Sequence, residues 1–137
     1  MNRGATMYDR VFGKVEYDCG WCTLDKIELF DISYEITCVA SAYKNEMISR
    51  QQRVQYSAFK EKKKEILELV EEILKQYVQN KRKDYSEKLK ESVVPKELIF
   101  HQNGDTGILF ECEWDVETGI VVGIFPKVEI INPDNFL

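Results

Sequence analysis

The chain is poor in the residues that carry most enzymatic chemistry at neutral pH. Its 137 residues include one histidine, His101, and four cysteines. No serine stands in a G-x-S-x-G setting and no glycine-rich phosphate loop occurs, so the usual acyl-transfer and nucleotide-binding constellations have no place to form. No run of 18 apolar residues exists, so no helical membrane span is expected. The opening "MNRGATMYDRVFGKV" has no apolar stretch of the secretory kind, with Met7 as a candidate start, and the expected location is cytoplasmic.

What is present is a core-forming composition with divided charge. Hydrophobic residues make up 44% of the chain, including seven Phe, seven Tyr and two Trp, enough for one domain without metal or disulfide staples. The net charge of -5 has two parts. Residues 50–96 hold 13 basic and 8 acidic residues (+5), and the remainder holds 6 and 16 (-10). An acidic exterior suits a cationic partner, and attraction between the two parts of the chain is the competing explanation.

Three blocks follow from periodicity. Across residues 8–42, Val15 and Tyr17, Ile27 and Leu29, and Tyr34, Ile36, Cys38 and Ala40 recur at every second position, the signature of half-buried strands. Ser49 and Gln52 form a capping box that opens a helix. Phe59, Ile66, Leu67, Val70, Ile73, Leu74 and Tyr77 then make one apolar stripe to about Gln79, a single helix of roughly 45 Å. Residues 80–94 read as a charged loop with a helical turn, ended by Pro95. "KELIF", "GILFECEWDV" and "GIVVGIFP" return to strands, and the tail is expected to dock through Phe136 and Leu137. The order predicts an α+β fold: an antiparallel sheet packed against one long helix. A single domain spans 8–137, and residues 1–7 form a disordered extension.

Cys19-Gly20-Trp21-Cys22 is a C-x-x-C. A redox centre needs its first thiol at a helix N-terminus. Here period-two strands flank the motif, so it belongs to a tight bend and the cysteines read as small fillers. A zinc site would need Cys38 and Cys112 as the other ligands, and nothing in the spacing supports one. The lysines at 60–64 and "KRK" at 81–83 lack interleaved aromatics and sit in a negative chain, so no nucleic-acid partner is expected. In "FECEWDVETG", Glu111, Glu113, Asp115 and Glu117 occupy alternate positions. On a regular strand they would line one face at intervals of about 7 Å. A solvated outer face, a surface for a basic partner and a divalent-metal site remain open, although a flat row does not converge on an ion.

"FGKVEYDCGW", the Q-x-x-x-Y-x-x-F of Gln52, Tyr56 and Phe59, "PKELIF", the W-D-x-E-x-G-I-x-V of "EWDVETGIVV", and "PDNFL" together resemble a bacterial family of small domains of unknown function. The family is similar in kind to the small acidic immunity proteins that accompany polymorphic or contact-dependent toxins. The resemblance implies no catalytic residues, no metal and no cofactor. It implies a protein that covers the active site of a basic toxin domain, and its W-D-x-E-x-G piece implies strand-end and turn roles for Asp115 and Glu117. From the residues themselves, the expected contacts are Glu111, Glu113, Asp115, Glu117 and Trp114, with Tyr17 as a further aromatic anchor if exposed. The rivals are a metal-dependent hydrolase built on the carboxylate row and an interaction module unrelated to toxins.

Overall fold

The computed structural model describes residues 5–43 and 45–137. Strands β1 (Thr6–Asp9), β2 (Gly13–Tyr17), β3 (Trp21–Leu29) and β4 (Ile32–Ala40) are followed by helices α1 (Arg50–Glu61) and α2 (Lys63–Lys81). A 3-10 segment, Lys83–Lys88, and the turn of helix α3 (Leu89–Ser92) lead into β5 (Val93–Phe100). β6 (Thr106–Cys112), β7 (Asp115–Phe125), β8 (Glu129–Ile131) and the short helix α4 (Pro133–Phe136) complete the chain. The eight strands form one sheet in sequence order. Each neighbouring pair is antiparallel except β4 and β5, which are parallel. A parallel pair needs a long crossover, and the helical segment between β4 and β5 supplies it.

The period-two residues read from the sequence face the helices. Val15, Ile27, Leu29, Ile36, Cys38 and Ala40 are buried with Leu98, Phe100, Ile108, Phe110, Ile120 and Val122 under α1 and α2. Among the described residues, the other face of the sheet carries a small cluster, Val39, Ile99, Val121 and Phe136, with Cys22, Leu109 and Ile131 packed against it. α4 covers part of that face through Phe136, while Leu137 remains 63% exposed, so one residue of the tail docks and the other does not.

Four expectations need correction. The helix is two pieces. Lys62 leaves helical geometry (φ -115°, ψ 26°), although its N–H still reaches Ala58 O at 3.0 Å. No residue between Phe59 and Ile66 is buried, so no packed side chain holds the axis straight there. The sheet is mixed by virtue of β4 and β5. Pro95 does not precede the strand; it lies inside β5, where the register against β6 shifts, the bulge position that tolerates a missing donor. Thr6 and Met7 belong to β1 rather than to a disordered extension, and residues 1–4 of that expectation lie outside the described residues. Among the described residues no helix is long and apolar enough to cross a membrane.

β1 is tied to α1 by a buried carboxylate. Asp9 is 3% exposed. Its Oδ2 accepts the N–H groups of Val11 and Phe12 at 2.9 and 3.0 Å, and its Oδ1 accepts Arg53 Nε at 2.8 Å. Burial works to raise the carboxyl pKa, but the Arg53 and backbone hydrogen bonds and the guanidinium charge prevail and hold it below 3.8. A depressed carboxylate stabilises the fold above its unfolded pKa and loses that contribution as pH falls through the folded value. Asp9→Asn is therefore expected to cost about 2–3 kcal/mol at pH 7. The gap to wild type should narrow below about pH 4. Urea unfolding at both pH values checks this; a gap that stays constant down to pH 2 contradicts it.

Candidate functional site

The four alternating carboxylates do not share a strand face. Cys112 pairs with Asp115, so Glu113 and Trp114 form the turn between β6 and β7. The next pair is Phe110 with Ile120, which leaves residues 116–119 of β7 opposite Glu111 alone. The extra residues swing out as a bulge. Gly119, at φ +73°, makes the return bend.

Each predicted site residue then has its own place. Glu113 Oε2 accepts Ser92 Oγ at 3.3 Å, and Asp115 Oδ1 accepts the Thr118 N–H at 3.1 Å. Glu113 is a turn residue and Asp115 opens β7. Trp114 is not an exposed anchor. It is half-buried against the helix side, with ring centroids 5.2 Å from Tyr85 and 6.4 Å from Tyr77. Glu111 and Glu117 do come together. The bulge and the uncovered sheet face enclose a hollow of about 470 Å³ lined by Thr37, Lys96, Glu97, Leu109, Glu111 and Glu117 among others. Lys96 Nζ stands 3.7 Å from Glu111, with both side chains largely in solvent, a pair of little energetic weight.

Glu97 is the residue that sequence reading missed. It pairs with Thr37 on one side and Leu109 on the other, at the middle of the uncovered face. A signal existed: in "KELIF" Leu98 and Phe100 are core, so Glu97 and Ile99 must face away from it. Glu97 also lines a second hollow, of about 200 Å³, with Asp18, Cys19, Ile99 and His101. That hollow shares Cys19, Ser41 and His101 with a groove of about 790 Å³ at the end of the sheet. Neighbouring concavities thus share lining residues, Glu97 in one pair and Cys19, Ser41 and His101 in the other. Their described lining holds Asp18, Glu46, Glu97, Asp105, Glu111 and Glu117, six carboxylates, against a single lysine, Lys96.

The groove has fixed walls. Gln52 Nε2 and Gln102 Nε2 both donate to Ser41 O at 2.9 Å. The Tyr17 hydroxyl donates to Ala42 O at 3.0 Å, and Trp21 Nε1 donates to Glu46 O at 2.9 Å. His101 Nε2 lies 2.6 Å from Phe136 O, which binds the β5–β6 turn to α4.

Cys19 and Gly20 of the C-x-x-C lie in the three-residue connection of β2 to β3, and Trp21 and Cys22 open β3, paired with Tyr17 and Glu16. Cys19 is exposed in the left-handed region (φ +61°), and Cys22 is half-buried. Burial first, then the Asp18 and Glu97 charges, push the Cys22 thiol up to about 11. Burial likewise pushes Cys38 and Cys112 up to about 12. These three thiols are protonated at neutral pH, and no helix N-terminus stabilises a thiolate at the motif. Among the described residues no group of three or more His, Cys, Asp and Glu side chains is arranged to hold a metal ion.

Residues 11–127 match the family model described as "Domain of unknown function (DUF6985)". No curated protein matches the chain, and no solved structure does. The matched span contains every sequence piece on which the resemblance rests except the terminal "PDNFL".

Proposed function

The chain belongs to this family of domains of unknown function, and we propose that it works as a binding protein: an immunity protein that neutralises a basic toxin domain by covering its active site. The observation that carries the reading is the excess of carboxylates over cations among the described lining residues of the three neighbouring hollows. A surface of one sign raises the encounter rate with a partner of the other and repels wrong partners. Apolar side chains stand beside the charges. Leu24 is 61% exposed on the uncovered sheet face and Val116 is 80% exposed on the bulge. They supply the dry contacts that charge alone does not. The contact set is Glu97, Glu111 and Glu117 with Val116 and Leu24, in place of the regular row and Trp114. Such a protein acts in the cytoplasm, where the toxin arrives, and needs no cofactor.

The test takes as partner a basic toxin domain sought in the reading frames that flank this chain; flanking frames that encode none count against the toxin. Glu97→Lys, Glu111→Lys and Glu117→Lys combined should slow association about 10–100-fold at low salt, with a much smaller change in dissociation. The salt dependence of the association rate should flatten or invert. A triple variant that associates and protects like the parent removes this face from the interface.

A further inference from the structure

The geometry points to the 790 Å³ groove as a receptacle for an arginine carried on a projecting loop of the partner, a refinement that rests on the binding reading just given. Three independent features converge on a guanidinium. Rings line the space: Tyr17, Tyr43, His101 and Phe136. Planar cations stack on such faces. Glu46 and Asp105 add two carboxylates. A guanidinium meets a carboxylate through two parallel N–H···O bonds, which an ammonium cannot do. The walls are also ordered in advance. Tyr17, Trp21 and Gln102 hold the carbonyls of Ala42, Glu46 and Ser41, and the Asp105 N–H donates to Asn103 Oδ1 at 2.9 Å. A site fixed beforehand loses little freedom on binding.

The volume fits a loop rather than a lone side chain. A pocket of several hundred Å³ takes a ligand of drug size, and here the arginine would enter with its flanking backbone. Tyr43 (78% exposed) and Met47 (62% exposed) flank Glu46 in sequence and offer apolar surface to that backbone.

The probe is N-acetyl-arginine amide, titrated into the isotope-labelled full chain and followed by amide chemical shifts. Saturable shifts at Cys19, Ser41, Asn103 and Asp105 are expected. N-acetyl-citrulline amide, which keeps the shape and loses the charge, should give none. Glu46→Gln with Asp105→Asn should weaken arginine binding by about tenfold or more. Gln at 46 keeps the carbonyl that accepts the Tyr43 N–H, so the fold is retained. Equal shifts with citrulline, shifts confined to the Glu97 and Glu111 hollow, or indifference to the double variant each overturn the groove assignment. Those outcomes leave the acidic-face reading intact, because that reading fails only if the triple lysine variant binds toxin normally. Arginine binding in the groove together with a silent triple variant would keep the groove and discard the wider face.

Discussion

Gln52→Glu is expected to lower stability by about 3–5 kcal/mol at pH 7.5, a fall of about 10–20 °C in Tm. The substitution changes almost no volume, so the loss comes from polarity alone. Gln52 is completely buried. Its Oε1 accepts the Ser49 N–H at 2.8 Å, closing the capping box, and its Nε2 donates to Ser41 O at 2.9 Å and Phe100 O at 2.8 Å. Glutamate keeps the first contact and sets a second oxygen against two carbonyls. An ionised carboxylate there is buried, unpaired and repelled. A protonated one donates a single hydrogen bond. Its pKa is therefore raised, and for a raised carboxylate the deficit grows as pH climbs through the folded value. The variant should recover part of its loss between pH 7.5 and pH 5, a range in which the depressed Asp9 stays ionised. Gln52→Leu, which abolishes both functions without adding charge, should cost less, about 2–4 kcal/mol, and show no such recovery. Ser41 O keeps Gln102 and Phe100 O keeps the Ser41 N–H, so leucine orphans neither carbonyl. Thermal unfolding of both variants at the two pH values decides the matter. A glutamate variant as stable as wild type at pH 7.5 would remove the amide from its role as a clasp between α1, β4 and β5.

The clasp also marks what the sequence could reveal. Ser49 and Gln52 announce the start of α1 because a capping box is local: a few adjacent residues define it and no distant partner is needed. The strands of the first block are legible for a similar reason. One face meets a core, so the alternation of Tyr34, Ile36, Cys38 and Ala40 against Glu35 and Thr37 survives without knowledge of the neighbours. The long stripe of the helices is legible too, but the bend at Lys62 is not, since neither glycine nor proline marks it. What fails at the candidate site is the assumption of a regular strand through "FECEWDVETG". Alternation of charge persists through a turn, while the faces it implies do not. Cys112 pairs with Asp115, so Glu113 and Trp114 turn and only Glu111 and Glu117 meet. Glu97 comes from a segment remote in sequence. The parallel pairing of β4 with β5 that brings Thr37 beside it has no local signal. A joint surface assembled from β2–β3, β4, β5 and the β6–β7 bulge is visible only once strand order is known.

Gly119 is the hinge on which that bulge depends, and Gly119→Ala should cost about 3–4 kcal/mol. Two effects add. The residue lies at φ +73°, where a Cβ is unfavourable by about 1–2 kcal/mol. A Cβ would also press directly into Phe110 O, a backbone atom of β6 that cannot rotate away. Gly13 separates the two. It has φ +76°, and a Cβ added there would meet nothing within 4 Å, so Gly13→Ala should show the conformational penalty alone. The difference between the variants in urea unfolding measures the contact with Phe110. Binding supplies a second readout. Relief of the contact must push Val116, Glu117 and Thr118 away from β6, which opens the hollow over Glu97 and moves Glu117 from Glu111. Gly119→Ala should therefore weaken partner binding under conditions where it remains folded, while Gly13→Ala, on the far side of the sheet order, should not. Equal unfolding free energies for the two alanine variants would mean that β6 does not confine the bulge. The carboxylates at 111 and 117 would then be held together by something other than the bend at Gly119.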